Sequence, residues 1–186
     1  FQKTPAQPTG PWVVPGNYSI VLSASGKSFT QPLTVKMDPR VKSTAADLAK
    51  QFELSKALYD LRAALKPIGK NFALLATELK KAKEKAGEKP VKQKVEELIK
   101  KLQEFANPDQ VRAGQALELD VLSKVERLFG DMQKADAAPT SQAQAAALDL
   151  PGKAKSVMER WPSLTQEVAA LNSELEAAGV EKIKVP

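Results

Sequence analysis

Lysine is the residue type whose spacing first raises a chemical question in this chain. Between positions 80 and 101 nine lysines (Lys80, Lys81, Lys83, Lys85, Lys89, Lys92, Lys94, Lys100 and Lys101) stand among four glutamates (Glu84, Glu88, Glu96 and Glu97). The local excess of five positive charges nearly equals the net charge of +6 for the whole chain. Such a stretch attracts an anionic polymer or surface through long-range attraction and counterion release. Lys80, Lys81, Lys83, Lys85, Lys89, Lys92 and Lys94 are therefore the candidate anion-binding residues. The stretch holds no arginine for a bidentate phosphate grip, and its nearest aromatic, Phe105, lies on an apolar stripe rather than on a stacking platform. Glu96 with Lys100 and Glu97 with Lys101 also stand four apart, the spacing of ordinary helix-stabilising pairs. A solvated helix face explains the same residues, and more of their features.

Carboxylates offer less. Asp131 with Asp136, and Glu96 with Glu97, are the pairs a hydrolytic reading would use, but positions five apart or adjacent on a helix point in different directions. General acid–base work needs two groups converging on one substrate. The chain has no histidine and no cysteine, so the commonest metal ligand, the near-neutral proton carrier and the thiolate are all missing. No catalytic residue, metal site or cofactor is expected.

The elements that would carry these groups are mostly helices. Leu150, Ala154, Val157, Trp161, Leu164, Val168, Leu171 and Leu175 follow at steps of three and four, the mark of a helix seam. A second seam runs through Leu54, Leu58, Leu61, Leu65, Ile68, Phe72, Leu75, Leu79 and Ala82. It crosses Pro67, whose ring costs about 3 kcal/mol inside a helix, yet its phase survives, which predicts one bent helix. Val91, Val95, Leu98, Leu102 and Phe105 make a shorter third seam, stopped by Asn107 and Pro108. Leu117, Val121, Val125, Leu128, Met132 and Ala135 make a fourth, about 120° out of phase with the third. Ser43 or Thr44 suits the first helix start, Thr140 or Ser141 the last, and Gly87 and Gly179 suit helix ends. Apolar residues form 42% of the 186 positions and aromatics only 5%, as expected for helices meeting along narrow seams. No apolar run approaches the roughly 20 residues that cross a bilayer, so the chain reads as soluble.

Residues 1–11, with Pro5, Pro8 and Pro11, read as a linker or disordered lead-in. The opening at Phe1 has no secretory-signal pattern, and the chain reads as a fragment or processed product. Over residues 12–41 the period changes to two: Tyr18, Ile20 and Leu22, then Phe29, Leu33 and Val35, flank Ser25-Gly26-Lys27 and predict a β-hairpin. Pro32 lacks a ladder donor, so it should face an edge or a bulge. A lone hairpin is marginal in water. Trp12, Tyr18 and Phe29 are thus candidate domain-docking residues, with Trp12 singled out by its place ahead of the hairpin. Residues 42–179 read as a helical bundle, and residues 180–186 as a tail suited to a short strand. The expected class is mainly α: an antiparallel up-and-down bundle of four helices with an N-terminal β-hairpin, the tail returning to the hairpin end. The alternative is a three-helix bundle in which helices two and three form one broken rod and the tail goes to the other end.

Four segments in order, PGNYSIVL (15–22), QPLTVKMDPRV (31–41), ADAAPT (135–140) and LNSELEAAG (171–179), resemble the C-terminal region of bacterial BNR-repeat, sortilin-like β-propeller proteins, commonly labelled glycosyl hydrolases. The resemblance runs from about Gly10 to the end. It implies that the hairpin corresponds to the last strands of an immunoglobulin-like module, that the helices form a tail, and that the protein is periplasmic or extracellular. The propeller and its Asp-box repeats have no counterpart here, so no catalytic position carries over. NPDQVRAG stands where relatives tend to have a glycine-rich loop, and the lysine-rich stretch is particular to this sequence. The expected function is a non-catalytic accessory or interaction domain, partnered by propeller or immunoglobulin-like domains or by further copies of itself. Binding of an anionic polymer through the Lys80–Lys101 stretch is the alternative.

Overall fold

A computed structural model describes residues 10–106 and 119–184. Two strands, β1 (Gly16–Ala24) and β2 (Lys27–Val35), precede four helices, α1 (Ala45–Ala86), α2 (Val91–Ala106), α3 (Asp120–Met132) and α4 (Ser141–Ala177). The class is the one expected, mainly helical with an N-terminal antiparallel hairpin. Leu117 and the NPDQVRAG segment lie outside the described residues, as do residues 1–9 and 185–186.

Helix ends follow local chemistry. The Thr44 hydroxyl accepts from the Asp47 N–H at 3.2 Å, and the Asp47 carboxylate accepts from the Thr44 N–H at 3.0 Å, a reciprocal box that satisfies two otherwise orphaned donors. The carboxylate also accepts from the Thr44 hydroxyl at 2.8 Å, and the bonds it takes from the backbone and then the hydroxyl of Thr44 hold the Asp47 carboxyl below its ordinary range. Ser43, the other cap candidate, instead donates to the Asp136 carbonyl at 2.7 Å. Thr140 caps α4 through the Ala143 N–H. At the far end Gly179 adopts φ +64°, the Val180 N–H reaches the Leu175 carbonyl at 2.8 Å and the Gly179 N–H reaches that of Glu176 at 3.0 Å. That left-handed turn ties up two terminal carbonyls, and Val180 and Leu175 are both buried. α1 passes through Pro67, and α4 through Pro151 and Pro162, without a break in the helix.

The chain divides into two compact units, Phe1–Tyr59 with Leu128–Ala147, and Asp60–Arg127 with Leu148–Pro186. In the second unit α2 runs antiparallel to α1, with Phe72 beside Phe105 (6.1 Å between ring centroids) and Lys83 paired to Glu96 at 2.9 Å. α3 also runs antiparallel to α1 but earlier along it: Arg62 faces Glu126 at 4.0 Å, and Gly69 lies against Leu122. α2 and the start of α3 therefore follow one another down the same helix. α4 runs antiparallel to α2, through Lys94 with Glu174 at 2.5 Å, Lys101 with Glu167 at 2.7 Å, and Phe105 with Trp161 at 5.7 Å. Within this unit the helices thus make three columns, the broken-rod arrangement, and the tail lies at the C-terminal end of α1, where Glu181 pairs with Lys85. The tail is not a strand over residues 180–184. The Asn172 side chain takes both backbone groups of Ile183, at 2.7 and 2.9 Å, which a ladder would otherwise need.

Seam residues fill the core: Leu54, Leu58, Leu65, Phe72, Leu75, Leu79 and Ala82 on α1, the five expected on α2, and Leu150 to Leu175 on α4 are buried, except Trp161, Leu61 and Ile68, which are half-buried. On α3 the expectation needs correcting. Phe129 is buried where Leu128 was expected, and Ala135 is exposed beyond the helix. A step of four from Val125 stays on the facing arc as well as a step of three does, and the larger ring, 6.1 Å from Tyr59, takes the interior place.

In the first unit the end of α3 lies against the start of α1 through three buried polar groups. Gln51 donates to the Met132 and Ala135 carbonyls at 2.5 and 2.7 Å. The Gln133 amide donates to the Ser55 hydroxyl at 2.7 Å and accepts from the Trp12 backbone N–H at 2.8 Å. That chain ties the segment leading into the hairpin to the two helices beneath it.

Candidate interaction surface

β1 and β2 pair in an unbroken register from Gly16 with Val35 to Ala24 with Lys27. The two-residue turn between them has φ +50° at Ser25 and +74° at Gly26, the left-handed pair that matches strand twist in a type I′ hairpin. Paired residues share a face. One face therefore carries Tyr18 and Leu33, Ile20 and Gln31, and Leu22 and Phe29, while the other carries Asn17 and Thr34, Ser19 and Pro32, Val21 and Thr30, and Ser23 and Ser28.

The apolar face is open. Ile20 is 54% exposed, Leu22 62% and Phe29 59%, and Leu33 is exposed as well. Strand side chains of this kind ordinarily bury against a second layer, and covering the exposed parts of these residues is worth about 1–2 kcal/mol each. Of the three candidate docking residues, Phe29 lies on this face and is open, and Tyr18 shares the face but is half-buried and donates to the Val14 carbonyl at 2.6 Å. Trp12 keeps its ring exposed while its backbone is held by Gln133. Sequence reasoning singled out Trp12, Tyr18 and Phe29 but left out Ile20, Leu22 and Leu33. The period-two pattern names them as one face, yet alternation alone does not say whether that face is covered.

The candidate anion-binding lysines are placed on the end of α1, the start of α2 and, for Lys89, the turn between them, where carboxylates meet most of them. Lys81 pairs with Glu78 at 2.8 Å, Lys83 with Glu96, Lys85 with Glu181, Lys92 with Glu88 at 3.3 Å, and Lys94 with Glu174. Lys89 donates to the Ala178 carbonyl at 2.8 Å, and Lys80 is exposed. In place of the expected pairs Glu96 with Lys100 and Glu97 with Lys101, Glu96 pairs with Lys83 on α1 and Lys101 with Glu167 on α4, because the flanks of α2 face those helices. Hydrogen bonding to Lys83 and to Lys85 holds the Glu96 and Glu181 carboxyls below the usual range, and Glu78 and Glu167 raise the Lys81 and Lys101 ammoniums. Glu167, Glu174 and Glu181 come from outside the lysine-rich stretch, so the fold offsets charge that the linear segment shows as excess.

The carboxylates considered for acid–base work are not brought together. Asp131 binds Lys134 at 2.6 Å, Glu96 binds Lys83, and Asp136 offers a backbone carbonyl to Ser43. A shallow cleft of about 240 Å³ in the first unit is lined by Gln51, Leu128, Asp131, Met132 and Pro139 among others. Its one carboxylate and its size, below the roughly 300–1,000 Å³ of ligand pockets, suit a side chain better than a substrate. Among the described residues no group of three or more Asp or Glu is arranged to hold a metal, and no described helix is long and apolar enough to cross a membrane. No family, no curated protein and no solved structure matches the chain.

Proposed function

We propose that this chain is a non-catalytic interaction module whose hairpin docks, apolar face first, on a β-sheet domain of a larger protein. The observation that carries the reading is the contrast between seams and hairpin: the helices bury their apolar stripes, while Ile20, Leu22 and Phe29 on one strand face stay in solvent. A set of neighbouring apolar side chains at regular spacing marks an interaction site more readily than scattered exposed residues do. The resemblance to the tail of BNR-repeat propeller proteins supports an immunoglobulin-like domain as the partner and a periplasmic or extracellular setting. The start of α1 and the segment after α3 then serve as the base to which Gln133 fastens the hairpin.

The test is hydrogen exchange at the hairpin in this 186-residue chain and in the product of the complete reading frame that contains it. Slower exchange at Tyr18, Leu22, Phe29 and Leu33 in the longer product supports docking in cis, and Leu22→Asp should return the exchange to that of the shorter chain. Equal exchange in the two, or a reading frame without a β-domain, overturns the proposal.

A further inference from the structure

We infer that the outer edge of β1, rather than that of β2, accepts an extended strand of the partner β-sheet domain; this rests on the docking reading and adds to it the edge at which the partner joins. Ala24 and Lys27 flank the two-residue turn, so they form a hydrogen-bonded pair. Such pairs alternate along an antiparallel ladder. Leu22 with Phe29, Ile20 with Gln31 and Tyr18 with Leu33 are then hydrogen-bonded, while Ser23 with Ser28, Val21 with Thr30, Ser19 with Pro32 and Asn17 with Thr34 turn their backbone groups outward. Two short side-chain bonds mark that second set, Ser23 to Ser28 and Thr34 to Asn17, both at 2.9 Å, as expected where side chains across the ladder come closest.

Pro32 therefore costs the hairpin nothing, since its missing N–H would have pointed away from β1. It removes a donor from the middle of the outer edge of β2, and Lys27 opens that strand with a charge. Proline and lysine are the residues that discourage strand addition. β1, with the sequence GNYSIVLSA, has no proline, no charged residue and no bulge. Its outward groups belong to Asn17, Ser19, Val21 and Ser23, and among the described residues no backbone hydrogen bond reaches them from outside the hairpin. The occupant that fits is an uncharged extended strand of a β-sheet, held by main-chain bonds. Joined there, it would extend the open face beside Tyr18, Ile20 and Leu22.

The test titrates the isotopically labelled chain with a macrocyclic peptide that presents one open strand of alternating valine and threonine, its other edge N-methylated. The expected result is amide exchange about tenfold slower at Asn17, Ser19, Val21 and Ser23, with no change at Ser28, Thr30 and Thr34. Ser19→Pro should abolish the effect and Thr30→Pro should leave it, since Pro32 already shows that a proline at an outward position is compatible with the hairpin. The amide map of the unsubstituted chain decides the matter even where a variant fails to fold. Slowing at Ser28, Thr30 and Thr34 overturns the edge assignment. Side-chain shifts at Ile20, Leu22 and Phe29 without amide slowing also overturn it, while leaving face docking intact. No response at either place overturns both. Slowing that rises with chain concentration in the absence of peptide assigns the edge to a second copy and overturns a strand of the partner domain.

Discussion

Substituting Gln133 by leucine tests how the hairpin is fastened to the helices. The Gln133 side chain is 5% exposed and Ser55 is 0% exposed, and the amide links the Ser55 hydroxyl to the Trp12 N–H at 2.7 and 2.8 Å. Leucine fills much of the same space and offers neither bond. The two orphaned partners do not lose equally. Trp12 is exposed, so water can replace the lost acceptor; among the described residues Ser55 is left with only the Met132 sulfur at 3.9 Å, a weak contact. A buried polar group deprived of its partner costs about 1–3 kcal/mol, and most of that cost should fall on Ser55. Ser55→Ala removes the other end and leaves the Gln133 amide without its acceptor, at a similar cost. Gln133→Leu with Ser55→Ala removes both, which is milder than leaving either one alone. The double variant should therefore lie about 1–2 kcal/mol above the sum of the singles. Urea unfolding followed by circular dichroism gives the stabilities. Trp12 emission, read in a Trp161→Phe background because the chain has two tryptophans, reports the hairpin base. Gln133→Leu should also speed amide exchange in β1 and β2 more than in α2. A single variant within about 0.5 kcal/mol of the parent, or singles that simply add, would refute the account.

Gly69→Ala sets two effects of similar size against each other. An added Cβ would come 2.5 Å from the tip of Leu122, which must shift at a cost of about 0.5–1.5 kcal/mol, while alanine favours the helix by about 0.5–1 kcal/mol. Urea unfolding should show the single change near neutral and the same change in a Leu122→Ala background stabilising by about 0.5–1 kcal/mol; a large loss in both would exclude this balance. Phe72→Ala, at a fully buried ring stacked on Phe105, should cost about 3–5 kcal/mol by the same measurement. Stability should also fall in acid. Glu96 and Glu181 are held below their ordinary 4.5 by Lys83 and Lys85, and Asp47 below 3.8 by Thr44. A depressed folded value adds stability that is complete above the ordinary one and lost as pH falls through the depressed one. Unfolding midpoints should thus be level from neutral pH to about 5 and decline below about 4.5, and Glu96→Gln with Glu181→Gln should reduce the decline; an unchanged acid slope in that variant would count against these pairs.

Periodicity made the helices legible because seam residues are chosen by burial, and burial repeats with the turn of the helix. Leu54 to Ala82 keeps its phase through Pro67, and the core follows it. The arrangement of helices was less legible. Out-of-phase seams at Phe105 and Val121 fit both a four-column and a broken-rod bundle, and what separates them is a set of contacts at distant positions, such as Phe72 with Phe105 and Gly69 with Leu122. Charge was misleading for a related reason. A linear stretch counts only its own residues, whereas Glu167, Glu174 and Glu181 reach the lysines from α4 and the tail. The Glu97 with Lys101 pairing failed because α2 packs between two columns and Lys101 finds a carboxylate on the next helix.

Covered and uncovered strands write the same alternation, so Ile20, Leu22 and Phe29 gave no sign in sequence that they would face solvent. Pro32 gave a better one. Its fixed ring states that one side of β2 forms no ladder, and the turn at Ser25 and Gly26 then decides which side, since a two-residue turn sets the order of bonded and unbonded pairs. From that order the protected and the open edge follow without reference to any partner. The same logic explains why the Gln133 tether matters: a two-stranded sheet of this size does not hold itself rigid, and an edge can select a strand only while its backbone is held in register. If the hairpin were loosely attached, the four outward donors of β1 would be presented by an ensemble, and the conformational cost of ordering it would fall on binding. A Gln133→Leu chain should therefore take up the strand peptide more weakly than its folding stability alone accounts for, and equal uptake by the two chains would separate the tether from the edge.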